Sequence, residues 1–325
     1  MVTKIDFLLR VHCATYNHVA FITNALDGFA MQKTLFPFVC TIVDDASTDG
    51  EQEIIKNYLQ GHFDLQDDSV AYDMDMDYGH VTFAKHKTNE NCFFAVLYLK
   101  ENHYCQKKSK APYLQEWMDS KYIAICEGDD YWTDPYKLQK QVGFLEQHPG
   151  YVACFHNARV QFEDHVSLFN DLEENHHFTA EDIIKRNWFI STQTLLYRNV
   201  IHSWPEWSKG VVNGDYLTEL LLAKEGDFYY MDDVMAVYRQ HGNGVSVTLD
   251  KNKVDLADKL ISLLTNMKLY YNGEYASAFD ESIRKYQTMR EEYVKEGFYA
   301  SHPVARLFRL KTYKRFIKKQ LRRVL

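Results

Sequence analysis

Strand-like and helix-like segments alternate through the first 60 residues, and that alternation constrains the fold more than any other feature of the chain. IDFLLRVH (5–12) reads as a strand, and HVAFITNALDGFAMQ (18–32) carries its apolar residues at helical spacing. FVCTIVDD (38–45) is a second strand and DGEQEIIKNYLQ (49–60) a second helix. A β-α-β-α order predicts an α/β fold with a parallel sheet, whose binding groups gather at the C-terminal strand ends. Those ends are polar: HCATYN follows the first strand, DDASTDG the second, and EGDD a later strand, YIAIC (122–126).

Further along, SVAYDMDMDYGHVTFAKHK alternates strictly, so Asp73, Asp75 and Asp77 share one face. A calcium loop does not fit, because the glycine falls one position late and Ala84 stands where a closing Glu is required. A solvated strand face is expected instead. Residues 92–118 are expected to be helical and partly exposed, with CQKKSKAP as a loop. DPYKLQKQVGFLEQH (134–148) predicts a helix with proline in its first turn. Beyond residue 150, strands are expected at YVACFHNARVQF, STQTLLYR and FYYMDDVMAVYRQ. TAEDIIKRN, opened by a T-x-x-D capping pattern, and DYLTELLLAKEG are expected helices, and residues 252–300 are mostly helical.

Glu127, Asp129 and Asp130 crowd three carboxylates behind a buried strand, which is unfavourable unless a cation neutralises them. An oxygen-rich site of this kind suits Mg²⁺ or Mn²⁺ bridging to a phosphate. The structural alternative is a surface turn whose acids cap the helix beginning at Asp134-Pro135. Asp44 and Asp45 could likewise cap the second helix or accept from a base N–H, and Tyr16 offers a face for a planar ring.

Together, TYNHVAFITNALDGFAMQKTLFPFVCTIVDDASTDG and, at a distance, EGDDYWTDPYKLQKQVGFLEQHP resemble the family 2 glycosyltransferases of the GT-A fold, over roughly residues 5–245. The resemblance implies a Rossmann-like mixed sheet flanked by helices, and inverting, divalent-metal-dependent transfer from a nucleotide-diphosphate sugar (a UDP- or dTDP-sugar). It implies Tyr16 against the donor base, Asp45 contacting the base with Asp44 nearby, and Asp129 on the metal. Glu127 would hold ribose or assist coordination; it stands where the commoner motif has Asp. Asp215 would be the catalytic base, with Gly214 in place of the frequent Glu, and as plain structure it would be a helix N-cap. His241 would complete the metal shell, with Gly242 and Gly244 in a loop over the diphosphate. The implied organisation is a GT-A domain at 1–248, with a nucleotide-sugar half to about residue 130 and an acceptor half after it. A helical extension at 249–300 and a tail at 301–325 complete it.

The acceptor is expected to be a glycan or lipid-linked molecule of surface polysaccharide synthesis. A non-catalytic nucleotide-sugar-binding module is the rival reading, opposed by the presence of Asp129, Asp215 and His241 together. A sugar nucleotidyltransferase would need a Gly-rich phosphate loop after the first strand, and HCATYNH is not one.

Net charge is -8, yet nine Lys/Arg and no acid occupy residues 301–325, interleaved with Leu307, Leu310, Phe316 and Leu321. This pattern is expected to lie on an anionic membrane surface rather than on nucleic acid. Six cysteines without C-x-x-C spacing argue against zinc or a disulfide framework. Asp6 and Arg10 interrupt the apolar run at the N-terminus, so a cytoplasmic protein, peripheral on the inner face of the membrane, is expected.

Overall fold

The computed structural model describes residues 5–162, 165–172, 176–187, 189–209, 211, 213–242 and 252–301. The chain divides into two compact units, 1–242 and 243–325. The boundary expected at 248, Gly244 and the basic tail beyond residue 301 lie outside the described residues.

The first unit is built on one 13-stranded sheet. Its early strands are β1 (Leu9–Thr15), β2 (Phe38–Asp44), β3 (Phe63–Asp64), β4 (Tyr72–Met76), β5 (Gly79–His86), β6 (Cys92–Leu99) and β7 (Tyr122–Ile125). The later ones are β8 (Tyr131–Trp132), β9 (Tyr151–Gln161), β10 (Val166–Leu168), β11 (His177–Phe178), β12 (Leu196–Arg198) and β13 (Asp227–Arg239). The strand order is β11-β13-β9-β12-β7-β1-β2-β6-β5-β3, with β4, β8 and β10 pairing off this path. β1 runs parallel to both β2 and β7, and β2 parallel to β6. β12 is antiparallel to β7 and β5 antiparallel to β6, so a parallel centre is flanked by reversed strands. Helices α1 (Ile22–Ala30), α2 (Glu51–His62), α3 (Lys137–Gln147), α4 (Ala180–Arg186) and α5 (Gly214–Ala223) complete the unit.

Parallel strands with both faces covered are apolar throughout rather than alternating, and β2 and β6 are buried at every position. That accounts for one element expected wrongly. Residues 92–99, CFFAVLYL, form a central strand and not a helix, because a short continuous apolar run carries no period of its own. Only 111–117 of the remainder coils, as a 3₁₀ turn. In STQTLLYR, also expected as a strand, Thr192–Thr194 form a 3₁₀ turn and only Leu196–Arg198 is strand. The acidic alternation forms the β4–β5 hairpin, where His80 bridges Asp73 and Asp75 at 2.8 Å each. The T-x-x-D pattern caps α4 as expected, Thr179 and Asp182 bonding reciprocally.

In the second unit, helices Lys253–Tyr270 and Ala276–Ser301 form an antiparallel pair, tied by Lys268–Asp280 at 2.6 Å and Arg290–Asp258 at 2.5 Å. Among the described residues, no helix is long and apolar enough to cross a membrane, and all six cysteines are free, five of them buried.

Candidate active site

The register of the three central strands brings their ends together. Thr15 pairs with Asp44, and His12 with Ile125. Past the strands the ladder continues, with Asp45 N–H donating to Thr15 O (3.0 Å) and Gly128 N–H to Ala14 O (3.1 Å). The loops after β1, β2 and β7 therefore leave the sheet side by side, at the position where parallel sheets collect ligands.

Asp129 lies beside His241, with Oδ2 3.1 Å from His241 Nε2. His18, which the sequence reading did not single out, places Nε2 3.7 Å from the same oxygen. One donor atom from each of His18, Asp129 and His241 lies within 4.8 Å of the others, and Asp129 Oδ1 is buried without a hydrogen-bond partner. Donors at right angles around an ion with bonds of about 2.1 Å sit about 3 Å apart, so these residues fit a divalent cation. Arg239 braces the group. Its guanidinium donates to Asp129 O (2.9 Å) and Asn24 Oδ1 (2.8 Å), its backbone N–H donates to Asp130 Oδ1 (2.8 Å), and it stacks over Phe21 and Tyr131. Phe21 in turn lies 4.7 Å from the His241 ring.

Glu127 faces Asp129, Asp215 and Lys110. Enclosure by the cleft, then the charges of Asp129 and Asp215, push its carboxyl up to about 7, with Lys110 opposing. Its surface is nevertheless open to water, so the neighbouring charges are the firmer part of that shift. Asp215, in α5, is near enough for its charge to reach Glu127. It is half-buried in the first turn of that helix, where its Oδ1 accepts from Tyr216 N–H (2.8 Å) as a capping acid would, while Asn213 at the N-cap makes no side-chain cap bond.

Four residues later Glu219 is 1 % exposed, its Oε2 unpartnered, and burial followed by the Asp215 charge holds its carboxyl well above the ordinary range. A carboxyl whose folded pKa is raised contributes fully below its unfolded pKa and loses that contribution as pH rises through the folded value. Glu219→Gln, uncharged at every pH, is expected to melt several degrees above the wild type at pH 8. The difference should close as pH falls toward ~4.3, the unfolded glutamate value. Thermal unfolding across pH checks it, and a pH-independent difference would refute it.

The other expected residues follow β1 and β2. Tyr16 is 42 % exposed at the end of β1. Asp44 is buried, its Oδ1 accepting from Ser47 N–H (3.0 Å) and Gln52 Nε2 (2.6 Å). Asp45 is 1 % exposed. It accepts from the His103 (2.8 Å) and Tyr104 (3.0 Å) amides and pairs with Lys110 Nζ at 2.9 Å. It thus holds the 101–110 loop, and a direct base contact requires that loop to shift. Lys110 and Glu51 also escaped the sequence reading. Lys110 lies in a loop without periodicity, and Glu51 stands in the first turn of α2, where acids are common.

No protein-family model matches the chain. Uncharacterized proteins of Mycobacterium tuberculosis and Mycobacterium bovis are 32% identical over 243 residues, covering 74% of this chain. The chain spans 61% of the length of these curated relatives. Among solved structures, a mannosyltransferase from Pyrobaculum calidifontis in complex with GDP-Man and Mn²⁺ superposes with a TM-score of 0.52 at 14% identity, over 96% of this chain and 82% of that one. Residues 1–349 of S. aureus TarS in complex with UDP superpose with a TM-score of 0.50 at 14% identity, over 89% and 91%. These likenesses show the fold: a mixed α/β sheet flanked by helices, of the GT-A kind expected from the sequence, followed by C-terminal helices.

Proposed function

We propose that the chain is an inverting, metal-dependent glycosyltransferase, moving a sugar from a UDP- or dTDP-sugar to a glycan or lipid-linked acceptor. The meeting of Asp129 with His241, past strands whose neighbouring ends carry Tyr16 and Asp45, supports this reading, with the charge of Asp215 reaching Glu127. The nucleotide complexes of the two structural neighbours are consistent with it.

Tyr16 is the stacking face for the base, and Asp45 acts through the loop it holds. Glu127 faces the ribose side of the cleft. Asp129 and His241 would hold Mn²⁺ or Mg²⁺, which would offset charge on the departing diphosphate. Asp215 accepts the proton of the acceptor hydroxyl. As that oxygen bonds to the anomeric carbon from the opposite side, the carbon–oxygen bond to the diphosphate breaks and its electron pair leaves with the diphosphate.

A thermal-shift series with UDP, GDP, CDP and dTDP, with and without Mn²⁺, tests the proposal. UDP or dTDP with Mn²⁺ is expected to raise Tm most, since a ligand bound only by the native state stabilises it. No metal-dependent shift with any nucleotide would overturn the assignment.

A further inference from the structure

The reading above gives the divalent ion two protein ligands, and His18 faces the same point with its orientation already fixed. His18 Nδ1 lies 3.2 Å from Thr15 Oγ1, and the Thr15 hydroxyl donates to Glu51 Oε1. A hydroxyl has one proton; with that proton on Glu51, Thr15 Oγ1 can only accept, so His18 Nδ1 carries the N–H. Nε2 is then the ring atom left to face Asp129, 3.7 Å from an oxygen that also faces His241. A positive charge must sit between such groups, and one divalent ion at that point would serve both imidazoles and the carboxylate.

The surroundings hold this arrangement rather than relieve it. Glu51 is fully buried and accepts from the Thr15 hydroxyl, from His18 N–H (2.8 Å) and from Ser47 Oγ (2.9 Å). One carboxylate therefore anchors both the backbone and, through Thr15, the ring of His18. Hydrogen-bonded outer partners of this kind orient the imidazoles that ligate metals. Asn17, at φ 57°, turns the chain so that His18 folds back beneath the end of β7.

We infer that His18 is a third protein ligand of the proposed cation, completing a two-imidazole, one-carboxylate donor set that selects Mn²⁺ over Mg²⁺. This rests on the assignment of Asp129 and His241 to a divalent ion. Mn²⁺ shares the oxygen donors of Mg²⁺ but, as a first-row transition ion, accepts imidazole more readily, whereas Mg²⁺ dehydrates reluctantly and keeps its waters. The acids after β7 alone would leave the two ions closely matched, and the second imidazole breaks that balance. Thr15 and Glu51 are positioning residues for the ring.

The test measures Mn²⁺ binding to the full chain with UDP present, from the loss of free-Mn²⁺ electron paramagnetic resonance signal, with Mg²⁺ as competitor. The wild type is expected to prefer Mn²⁺. His18→Asn keeps a donor near Nδ1 for Thr15 and removes Nε2, and should weaken Mn²⁺ by about 10–100-fold. His18→Gln places an amide oxygen near the Nε2 position, and should narrow the preference by restoring Mg²⁺ competition. Thr15→Val should weaken Mn²⁺ by about tenfold through loss of orientation alone. If the Asn variant fails to fold, the preference of the Gln variant decides the matter. Absence of Mn²⁺ uptake by the wild type would remove the underlying metal assignment and this inference with it. Uptake by wild type with unchanged affinity and preference in both His18 variants would overturn only the role of His18.

Discussion

Asp215→Asn is expected to lower kcat by about 10²–10⁴-fold, with nucleotide binding and its metal-dependent thermal shift within about twofold of wild type. The substitution keeps the size of the side chain and removes its capacity to take a proton. Asp215 stands in the first turn of α5, where the backbone amides favour an anion, the form a base must have. Because an asparagine at 215 still offers Oδ1 to the Tyr216 amide that Asp215 accepts from (2.8 Å), the loss is expected in turnover rather than in folding. Steady-state kinetics with a saturating donor, read beside thermal unfolding, check both parts. A variant that retains kcat would strip Asp215 of its role.

Gly128→Ala is expected to abolish transfer, by more than about 10²-fold, and to destabilise the chain by about 1–3 kcal/mol. A Cβ at this position would meet Thr15 Oγ1 at 2.1 Å and Thr15 Cβ at 2.7 Å, with His18 Nδ1 at 3.2 Å. Thr15 cannot turn away, because it is β-branched within β1 and its hydroxyl is bound to Glu51. The strand end would have to lift, carrying Asp129 away from both imidazoles. This is the physical content of the Glu-Gly-Asp pattern: the middle residue lets the two acids close onto the neighbouring strand. Manganese uptake and Tm of the variant measure the effect, and wild-type values for both would show that the close approach is dispensable.

The parallel centre of the sheet and the acids at its ends were legible in the sequence, because α1 and α2 carry a helical period between apolar runs and because Asp44, Asp45, Glu127 and Asp129 follow those runs closely. Residues 92–99 were not, since a strand buried on both faces looks like any apolar run of its length. His18, Glu51 and Lys110 were hidden for a different reason. Each acts across a loop on a residue far away in sequence: His18 on Asp129, Glu51 on Thr15, and Lys110 on Asp45. Periodicity describes a segment against its own core and carries nothing about which loops meet beyond the sheet. Asp45 shows the same limit. Its place at the end of β2 was plain, but the amides of His103 and Tyr104 that occupy it come from a stretch without pattern.

His241 lies 112 positions from Asp129, and Arg239, which clasps the backbone at Asp129, ends the last strand of the first unit. Synthesis delivers the chain N-terminus first. The ribosome therefore releases the acidic strand ends long before the two residues that brace and complete them. A nascent chain that stops just short of residue 227 carries twelve of the thirteen strands, yet lacks both the brace and the last member of the group around Asp129.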